Sequence, residues 1–392
     1  MIPADKNQII AVIDKQAEIL WEISSAIFHE PETAFKEFKA CQLLTSALNN
    51  AGFTVETGIG GLETAFRATS GDKSSPVIAI LAEYDALVGL GHACGHNLIA
   101  GAAIGAGIAI ASIKIDTGGQ IQVIGTPAEE GGGGKITLAE AGVFDKVDAA
   151  MMFHPADKNM VLRQSLASTK LKIDFYGKSS HAAAAPEEGI NALDALILTF
   201  NNINAIRPTL FSKDRIAGII LDGGEAANII PAHASADFSI RSLTTKRRDY
   251  LVSRVIECAE GAGKTVGCKL EYTISPGYKQ IIPSPVLASL FTANLESLGR
   301  EIAELDLNER MGSTDMGDVS HIVPSIHPYL AIAPEKTAGH TLAFKEYCIS
   351  DTGKSAMLDA AKALAMTAFD LFMHPELLIK AREQLSFDLN SM

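Results

Sequence analysis

The sequence predicts an α/β protein: a largely parallel sheet with helices on both faces, interrupted by an inserted βαββαβ domain. Three observations predict it. Apolar strand-like runs alternate with helical periodicity through the first part of the chain. The middle then changes to the order β-α-β-β-α-β, the split βαβ sandwich. After that the α/β alternation resumes, so one domain is cut in two by another.

The elements follow in order. Residues 6–28 place Ile9, Val12, Ile13, Leu20, Ile23 and Ile27 on one helical face, with Asp5 as the expected N-cap. A second helix is expected over Lys36–Asn50, ending at Gly52. Strand-like runs occupy Phe53–Thr57, Leu62–Ala68 and Val77–Glu83. A helix fits Leu98–Ile113, and its Ala and Gly content suits close packing on a sheet. A strand at Gln120–Gly125, a helix at Ile136–Gly142 and a strand at Ala149–Phe153 complete the first stretch. The middle contributes strands Thr169–Tyr176, Arg215–Leu221, Ala234–Arg241 and Cys268–Ser275, with helices Asn191–Ile206 and Thr245–Ala262. Helices near Val286–Leu298 and Ser355–Phe372 close the pattern. The expected domains are therefore 1–166 with 281–392, and an insert at 167–280.

Composition narrows the function. At 392 residues, 47% hydrophobic and 20% charged, the chain is globular and long enough for two domains. A net charge of −13 argues against nucleic acid or an anionic membrane as partner. The N-terminal MIPADKNQII has neither the basic nor the apolar region of a secretory signal. The longest uncharged apolar run, Leu98 to Ile113, is shorter than the ~20 residues a membrane span needs. The expected location is cytoplasmic. Five scattered cysteines with no CxxC pair read as reduced thiols.

Five segments carry the chemistry, each at a strand end or in a loop, where an open α/β sheet places its ligands. They are Glu83-Tyr84-Asp85, the run from Gly91 to Asn97 containing Cys94 and His96, the run from Thr126 to Gly131 containing Glu129 and Glu130, Met151 to Pro155 with His154, and Ala338 to Thr341 with His340. Each has an ordinary structural reading when taken singly. Cys94 suits burial as a small apolar thiol, Glu129-Glu130 suits a solvated surface, and His154 suits the core. Together, Cys94, His96, Glu130, His154 and His340 supply enough ligands for two metals, with Glu129 left as a base. The stretch Glu130 to Lys135 is no phosphate loop: Glu129 and Ile136 stand where that pattern requires Gly and Ser/Thr.

The spacing of Glu83-Tyr84-Asp85-Ala86-Leu87, His92-Ala93-Cys94-Gly95-His96-Asn97, the run Pro127 to Lys135 and His154-Pro155 resembles the aminoacylase and carboxypeptidase G type of dinuclear metallopeptidases. Within it, the amidohydrolase branch with aminobenzoyl-glutamate hydrolases, auxin-conjugate hydrolases and the β-alanyl-lysine type of dipeptidase is the most similar. The resemblance runs from Ser25-x-x-x-His29-x-Pro31-Glu32 to the His340 segment. It implies that Cys94, His96, Glu130, His154 and His340 bind two divalent ions per subunit, zinc favoured over manganese or cobalt. Glu129 is then the general base and Asp85 orients a ligand. Where many members carry His-x-Asp, this chain has Glu83-Tyr84-Asp85, and His96 takes the place of the missing His. Asn97 replaces an Asp found in many members.

In the insert, Ser180-His181-Ala182 with Pro186, Gly189 and Asn191-Ala192 resembles a segment whose His reaches across a dimer to the scissile carbonyl. Asn228 and Arg241 match positions near the substrate carboxylate. The implied function is hydrolysis of an amide or peptide bond in a small substrate with a free carboxylate: a dipeptide, an N-acyl amino acid or aminobenzoyl-glutamate. The 167–280 insert becomes a lid and dimerisation domain, and the protein a homodimer or a dimer-based oligomer. The alternatives are a ligand-binding member that does not hydrolyse, and a metal-storage or sensing protein.

Overall fold

A computed structural model of the chain describes residues 3–72, 76–113, 118–304 and 311–392. The chain divides into two compact units. One comprises Met1–Gln164, Ile281–Arg310 and Asp315–Ser391; the other comprises Ser165–Gln280, Met311–Thr314 and Met392.

The larger unit begins with helices α1 (Ala4–His29) and α2 (Phe38–Asn50). Pro3 occupies the N-cap of α1 without a side-chain cap, so Asp5 falls in the first turn rather than at the expected cap. There its charge meets the positive end of the helix dipole. The Glu32 carboxylate accepts from the backbone N–H groups of Lys39 and Ala40 and so caps α2 from outside the helix. Strands β1 (Thr54–Thr57), β2 (Phe66–Gly71) and β3 (Val77–Ala82) follow, then α3 (His96–Ala111), β4 (Gln120–Gly125), α4 (Gly134–Glu140), β5 (Ala149–Met151) and β6 (His154–Ala156).

The smaller unit holds β7 (Ala167–Tyr176), α5 (Ala192–Ile206), β8 (Arg215–Asp222), β9 (His233–Ser242), α6 (Thr245–Val266) and β10 (Lys269–Ile274). The chain then returns with α7 (Pro285–Ser297), α8 (Met316–Ser320), β11 (Ser325–Ile326), β12 (Tyr329–Ala331), α9 (Leu342–Tyr347), α10 (Asp351–Met373) and α11 (Glu376–Asn390).

The six-stranded sheet of the larger unit has the order β1-β2-β4-β3-β5-β11. The run β4-β3-β5-β11 is parallel, and β1 and β2 add an antiparallel edge. Every residue of β3 is buried, as expected for a central parallel strand covered on both faces. Helix α3 packs against both α1 and α10 and over β3 and β4. Its glycines make that possible. A Cβ on Gly101 would meet Met357 Sδ at 2.5 Å, and one on Gly107 would meet Val123 Cγ2 at 2.3 Å. A two-stranded parallel pair, β6 with β12, lies beyond the main sheet. Such three-residue strands are too short for periodicity to reveal, and α8, α9 and α11 fall equally outside the expected pattern. No helix among the described residues is long and apolar enough to cross a membrane. All five cysteines are free, as expected.

The smaller unit is an antiparallel sheet of order β10-β7-β9-β8, with α5 and α6 packed on β7 and β9. Alternation along β7 puts Leu171, Ile173 and Phe175 into a core with Ala234, Ala236, Phe238 and Ile240 of β9. The Asn191 side chain caps α5, the Thr244 hydroxyl caps α6, and Gly267 in the left-handed region ends α6. Edge strand β8 leaves Ile219, Ile220 and Leu221 largely exposed. Where β8 ends in a register shift, His233 bridges two strands, with Nδ1 2.7 Å from Asp222 and Nε2 3.0 Å from Asp174. Lys172 also reaches Asp174, at 3.1 Å.

The packing of α3 and α6 sets opposite expectations for two glycines. Gly107→Ala should destabilise the protein by about 1–3 kcal/mol, because overpacking against stiff Val123 outweighs the gain in helix propensity. Gly261→Ala, on the open face of α6 with no contact closer than 4.0 Å, should instead stabilise it by up to about 1 kcal/mol. Urea denaturation of both variants checks the opposite signs.

A pH dependence follows from His233, whose pKa is raised chiefly by the hydrogen bond to Asp222, with Asp174 adding to it. Its stabilising contribution should be complete below the ordinary value near 6.5 and be lost as pH rises through the raised folded value. An NMR titration of the imidazole placing its pKa at or below 6.5 would remove this reading.

Candidate metal centre

The strand ends of the larger unit set the site. Side-chain direction alternates beyond β3, so Tyr84 turns one way and Glu83 and Asp85 the other. Tyr84 is fully buried, stacks on Phe66 and donates its hydroxyl to the Thr64 carbonyl at 2.5 Å. That anchor leaves both carboxylates facing the start of α3. There Gly95 has φ +81°, and a Cβ would lie 2.8 Å from Pro155 Cγ, so glycine is required on both counts. Asn97 spans from α3 to Ser24 Oγ and the Cys348 carbonyl, both at 3.0 Å. Its place in the structure is thus an anchor for the N-terminus of α3.

The Asp85 carboxylate holds two donors at once. Oδ1 lies 3.0 Å from His96 Nδ1, and Oδ2 accepts from the Glu130 backbone N–H at 2.9 Å. His96 Nδ1 also meets the Asp85 carbonyl at 2.9 Å. Burial disfavours a charge on His96, but Asp85 and then Cys94 outweigh it and hold its pKa well above the ordinary value, so Nδ1 keeps its proton for the two acceptors and Nε2 is the nitrogen that would exchange its proton for a cation. In His154, Nδ1 donates to the Pro155 carbonyl at 2.7 Å, which turns Nε2 toward Cys94.

Beyond β4 the chain turns sharply at Ala128, φ +62°, an uncommon conformation for a residue with a Cβ. The buried Glu37 carboxylate holds this turn. Its Oε1 accepts from the N–H groups of Ala128 at 3.0 Å and Phe35 at 2.9 Å, itself at φ +60°, while Oε2 takes the Thr64 hydroxyl. Glycines 132 and 133 close the turn onto the Ala128 carbonyl. Glu129 and Glu130 are thereby aimed into the site. His340, at φ +61°, is tied by its N–H to the Ala93 carbonyl just ahead of α9.

Cys94 Sγ lies 3.3 Å from both His154 Nε2 and His340 Nε2. His340 Nε2 is 3.1 Å from Glu130 Oε1. Three overlapping triads result, each with its donor atoms within 4.8 Å of one another: Cys94-His96-His154, Cys94-Glu130-His340 and His96-Glu129-Glu130. Cys94, His96 and Glu130 each belong to two. The atom His96 Nε2 is buried with no hydrogen-bond partner among the described residues, and Glu130 Oε1 is buried against His340 Nε2. Soft thiolate, imidazole lone pairs and carboxylate converging in this way fit divalent metal, and the overlap fits two ions.

The electrostatics agree. Burial, and then the nearby Glu83 and Asp315, push Glu129 well above the usual carboxylate range. Burial pushes the Cys94 thiol up as well, although His96 opposes it. Burial also opposes ionisation of Glu130, but the contact with His340 and the charge of His96 win and hold it below the ordinary value. His154 is depressed to about 4 by burial. A buried thiolate beside two carboxylates is costly unless cations neutralise it.

Of the residues singled out in the sequence, Asp85, Cys94, His96, Glu129, Glu130, His154 and His340 come together in the larger unit. His181, Asn228 and Arg241 belong to the smaller one. There the Ala182 N–H bonds the Asn228 carbonyl at 3.0 Å, so His181 and Asn228 are neighbours. His181 Nδ1 accepts from the N–H groups of Ala183 and Ala184, which places the ring proton of a neutral His181 on outward-facing Nε2. Arg241 sits at the other end of the β7–β9 ladder. Tyr176 pairs with His233 at one end and Ser168 with Arg241 at the other, eight residues or ~26 Å of strand away.

Residues that sequence reasoning missed also line the site. Lys135, fully buried, bonds Glu83 Oε1 at 2.5 Å and Asp315 Oδ1 at 2.8 Å. His327 packs perpendicular to His154 with ring centroids 5.4 Å apart, and Tyr329 lies beside both, beneath Arg163. Lys135 is visible as a lysine after a glycine run, but that pattern points toward phosphate loops, not toward a buried ion pair. Asp315 and His327 carry no local signal.

The peptidase dimerisation domain family matches residues 163–266. Over 96% of this chain and 91% of the relative, the chain is 39% identical to the Xaa-Arg dipeptidase of Mus musculus. It is 30% identical to one of the chains of the p-aminobenzoyl-glutamate hydrolase of Escherichia coli (strain K12), over 93% of this chain and 91% of the relative. In fold it resembles a dinuclear metal-binding peptidase of the M20 family from Bacillus subtilis. The TM-score is 0.72 at 18% identity, with 91% of this chain and 99% of that one covered. Identity of this extent over nearly the whole length, on a fold and donor set of this kind, establishes that the chain belongs to the M20 metallopeptidases, in the branch of the Xaa-Arg dipeptidases and p-aminobenzoyl-glutamate hydrolases.

Proposed function

We propose that this enzyme is a dipeptidase: it hydrolyses the peptide bond of a dipeptide with a free carboxylate, Glu129 acting as general base. The observation that carries the mechanism is Glu129, aimed into the place where His96 and Glu130 converge. The relative with 39% identity, named for Xaa-Arg dipeptides, favours dipeptides over N-acyl amino acids. A second reading, cleavage of p-aminobenzoyl-glutamate, rests on the 30% identical relative.

Cys94, His96, Glu130, His154 and His340 would hold two divalent ions. When bound, these supply Lewis acidity toward the scissile carbonyl and toward a water molecule. The residues do the rest. Glu129 accepts the proton of the attacking water and delivers it to the leaving amine. Its raised affinity for a proton suits the second half of that task. Asp85 keeps His96 and the Glu130 backbone in register, so that neither donor drifts as charge moves.

His181 Nε2–H is a donor for the developing oxyanion, and Asn228 sits beside it. Arg241 offers a planar fork for a carboxylate. Because Arg241 and the His181–Asn228 pair occupy opposite ends of one ladder, a site using both would draw them from two copies of the chain. This supports a homodimer formed through the smaller unit. Edge strand β8, with its exposed Ile219–Leu221, is the surface we assign to that contact. A ligand-binding protein without hydrolytic activity would not require Glu129 in this position, nor would a metal store.

A panel of dipeptides, including Xaa-Arg and Xaa-Lys, together with N-acyl amino acids and aminobenzoyl-glutamate, tests the function. The expected outcome is dipeptide hydrolysis that a chelator abolishes. In Glu129→Gln, metal content should be unchanged while turnover falls at least ~100-fold. Chelator-insensitive hydrolysis, or near-normal turnover in that variant, would refute the mechanism.

Cross-subunit action of His181 is testable by mixing. His181→Ala and Glu129→Gln are each expected to be nearly inactive, with the His181 loss mainly in kcat. After subunit exchange, mixed dimers should recover part of the activity, since one site in each has both groups intact. No recovery after confirmed exchange would assign His181 to its own subunit.

A further inference from the structure

We propose that Glu37 is the positioning residue of the general base. By holding the Ala128 turn it sets where Glu129 stands, and so governs turnover while the donor set stays in place. The inference rests on the assignment of Glu129 as base given above and adds the residue that aims it.

Glu129 lies between two pinned peptide groups. On one side the Ala128 N–H donates to Glu37 Oε1 at 3.0 Å; on the other the Glu130 N–H donates to Asp85 Oδ2 at 2.9 Å. The two carboxylates have different tasks. Asp85 reaches His96 and the Glu130 backbone, so it serves the donors. Glu37 instead reaches the backbone of Ala128 and Phe35 and the hydroxyl of Thr64.

Ala128 is the residue that needs holding. It is fully buried at φ +62°. In that region the Cβ crowds the following carbonyl oxygen, so a residue other than glycine stays there only when its surroundings insist. The N–H groups of Gly132 and Gly133 engage the Ala128 carbonyl at 3.0 and 2.8 Å, but both belong to the same turn and would move with it. The Glu37 oxygen is the tether from outside. If Ala128 left the left-handed region, Glu129, the next residue, would swing away. Glu130 would keep its own bond to Asp85.

Glu37 is mounted firmly enough for the task. It stands at the start of α2, takes the Cys41 N–H on its carbonyl at 3.0 Å, and is 0% exposed. The Glu32 carbonyl accepts from the Ala86 N–H at 2.8 Å, which ties the same loop to the segment that carries Asp85. Phe35, at φ +60°, shares Oε1, so one oxygen holds two left-handed residues from segments far apart in the chain. The Phe35 ring packs over the turn so closely that a Cβ on Gly132 would lie 2.4 Å from it. Loop and turn are therefore one built unit, with the Glu37 carboxylate at its centre.

The test separates positioning from mere support of the fold. Glu37→Gln keeps an oxygen for the two N–H groups, and Glu37→Leu removes it. On the dipeptide that the wild type cleaves fastest, Glu37→Leu is expected to lose at least ~10-fold in kcat, with KM within ~3-fold and metal content after dialysis unchanged. Glu37→Gln should stay within ~3-fold of the wild type in both constants. A smaller loss in Glu37→Leu, or one matched by loss of metal or by a rise in KM alone, would overturn the proposal. Glycine supplies an independent check, since Ala128→Gly takes φ +62° without strain. Added to Glu37→Leu, it is expected to recover at least ~3-fold in kcat, and no recovery would overturn the proposal as well. Should Glu37→Leu not fold, Glu37→Asp decides. It keeps the charge but withdraws the oxygens by one methylene, and it should lose at least ~3-fold in kcat alone; anything less would overturn the proposal. A wild type that hydrolyses nothing in the panel would refute the base assignment and this inference together, whereas an active wild type with an equally active Glu37→Leu would overturn this inference only.

Discussion

The convergence of electron-pair donors in a place largely withdrawn from water is the constraint on which the rest of this structure depends. Thiol, imidazoles and carboxylates at Cys94, His96, His154, Glu129 and Glu130 would separate if the chain let them. Directed bonds prevent it. Asp85 fixes His96 with one oxygen and the Glu130 backbone with the other, so two donors from different strand ends move as one. Glu37 performs the corresponding task with Oε1 on the turn at Ala128 and Oε2 on the Thr64 hydroxyl, so the turn is tied to the segment ahead of β2. The carboxylates around the site therefore divide into those whose oxygens the protein has taken up and those it has left open.

The scaffold behind the site explains why such bracing holds. Helix α3 presents His96 in its first turn and is clamped along its length between α1, α10 and the sheet, through contacts that glycine alone permits. A donor mounted on an element so confined has little freedom to relax away from its neighbours. The smaller unit shows the opposite character. Its helices cover β7 and β9, but β8 is left as an open edge, and His181 and Asn228 sit on exposed loops zipped to each other. The donor cluster lies in one unit and the exposed polar groups His181 and Asn228 lie in the other.

Much of this was legible in the residues. The central strands and α3 announced themselves through length and unbroken apolar character, and the split βαβ order was readable because each element has a clear period. The donors could be located because strand ends in parallel sheets collect them and because Cys94, His96 and the Glu129–Glu130 pair are locally conspicuous. What could not be read has a common cause: it depends on partners far apart in the chain. Lys135 and Asp315 are separated by 180 residues, and neither has meaning alone. The bracing role of Glu37 depends on a left-handed Ala128 ninety-one residues later. The pair β6–β12 involves three residues from each side. The separation of Arg241 from Asn228 followed only from the β7–β9 register, since thirteen residues can lie close or far depending on whether the chain turns between them.

The order of the elements along the chain also bears on biosynthesis. Strand β5 emerges from the ribosome with one flank already matched by β3, but its other neighbour, β11, is translated only after the whole smaller unit has appeared. His340 arrives later still. The smaller unit, whose strands and helices are contiguous, can fold while this edge waits. The donors Cys94, His96, Glu130 and His154 are then present in the nascent chain without their last companion. Any ion captured at that stage would meet an incomplete set of donors until α9 has docked.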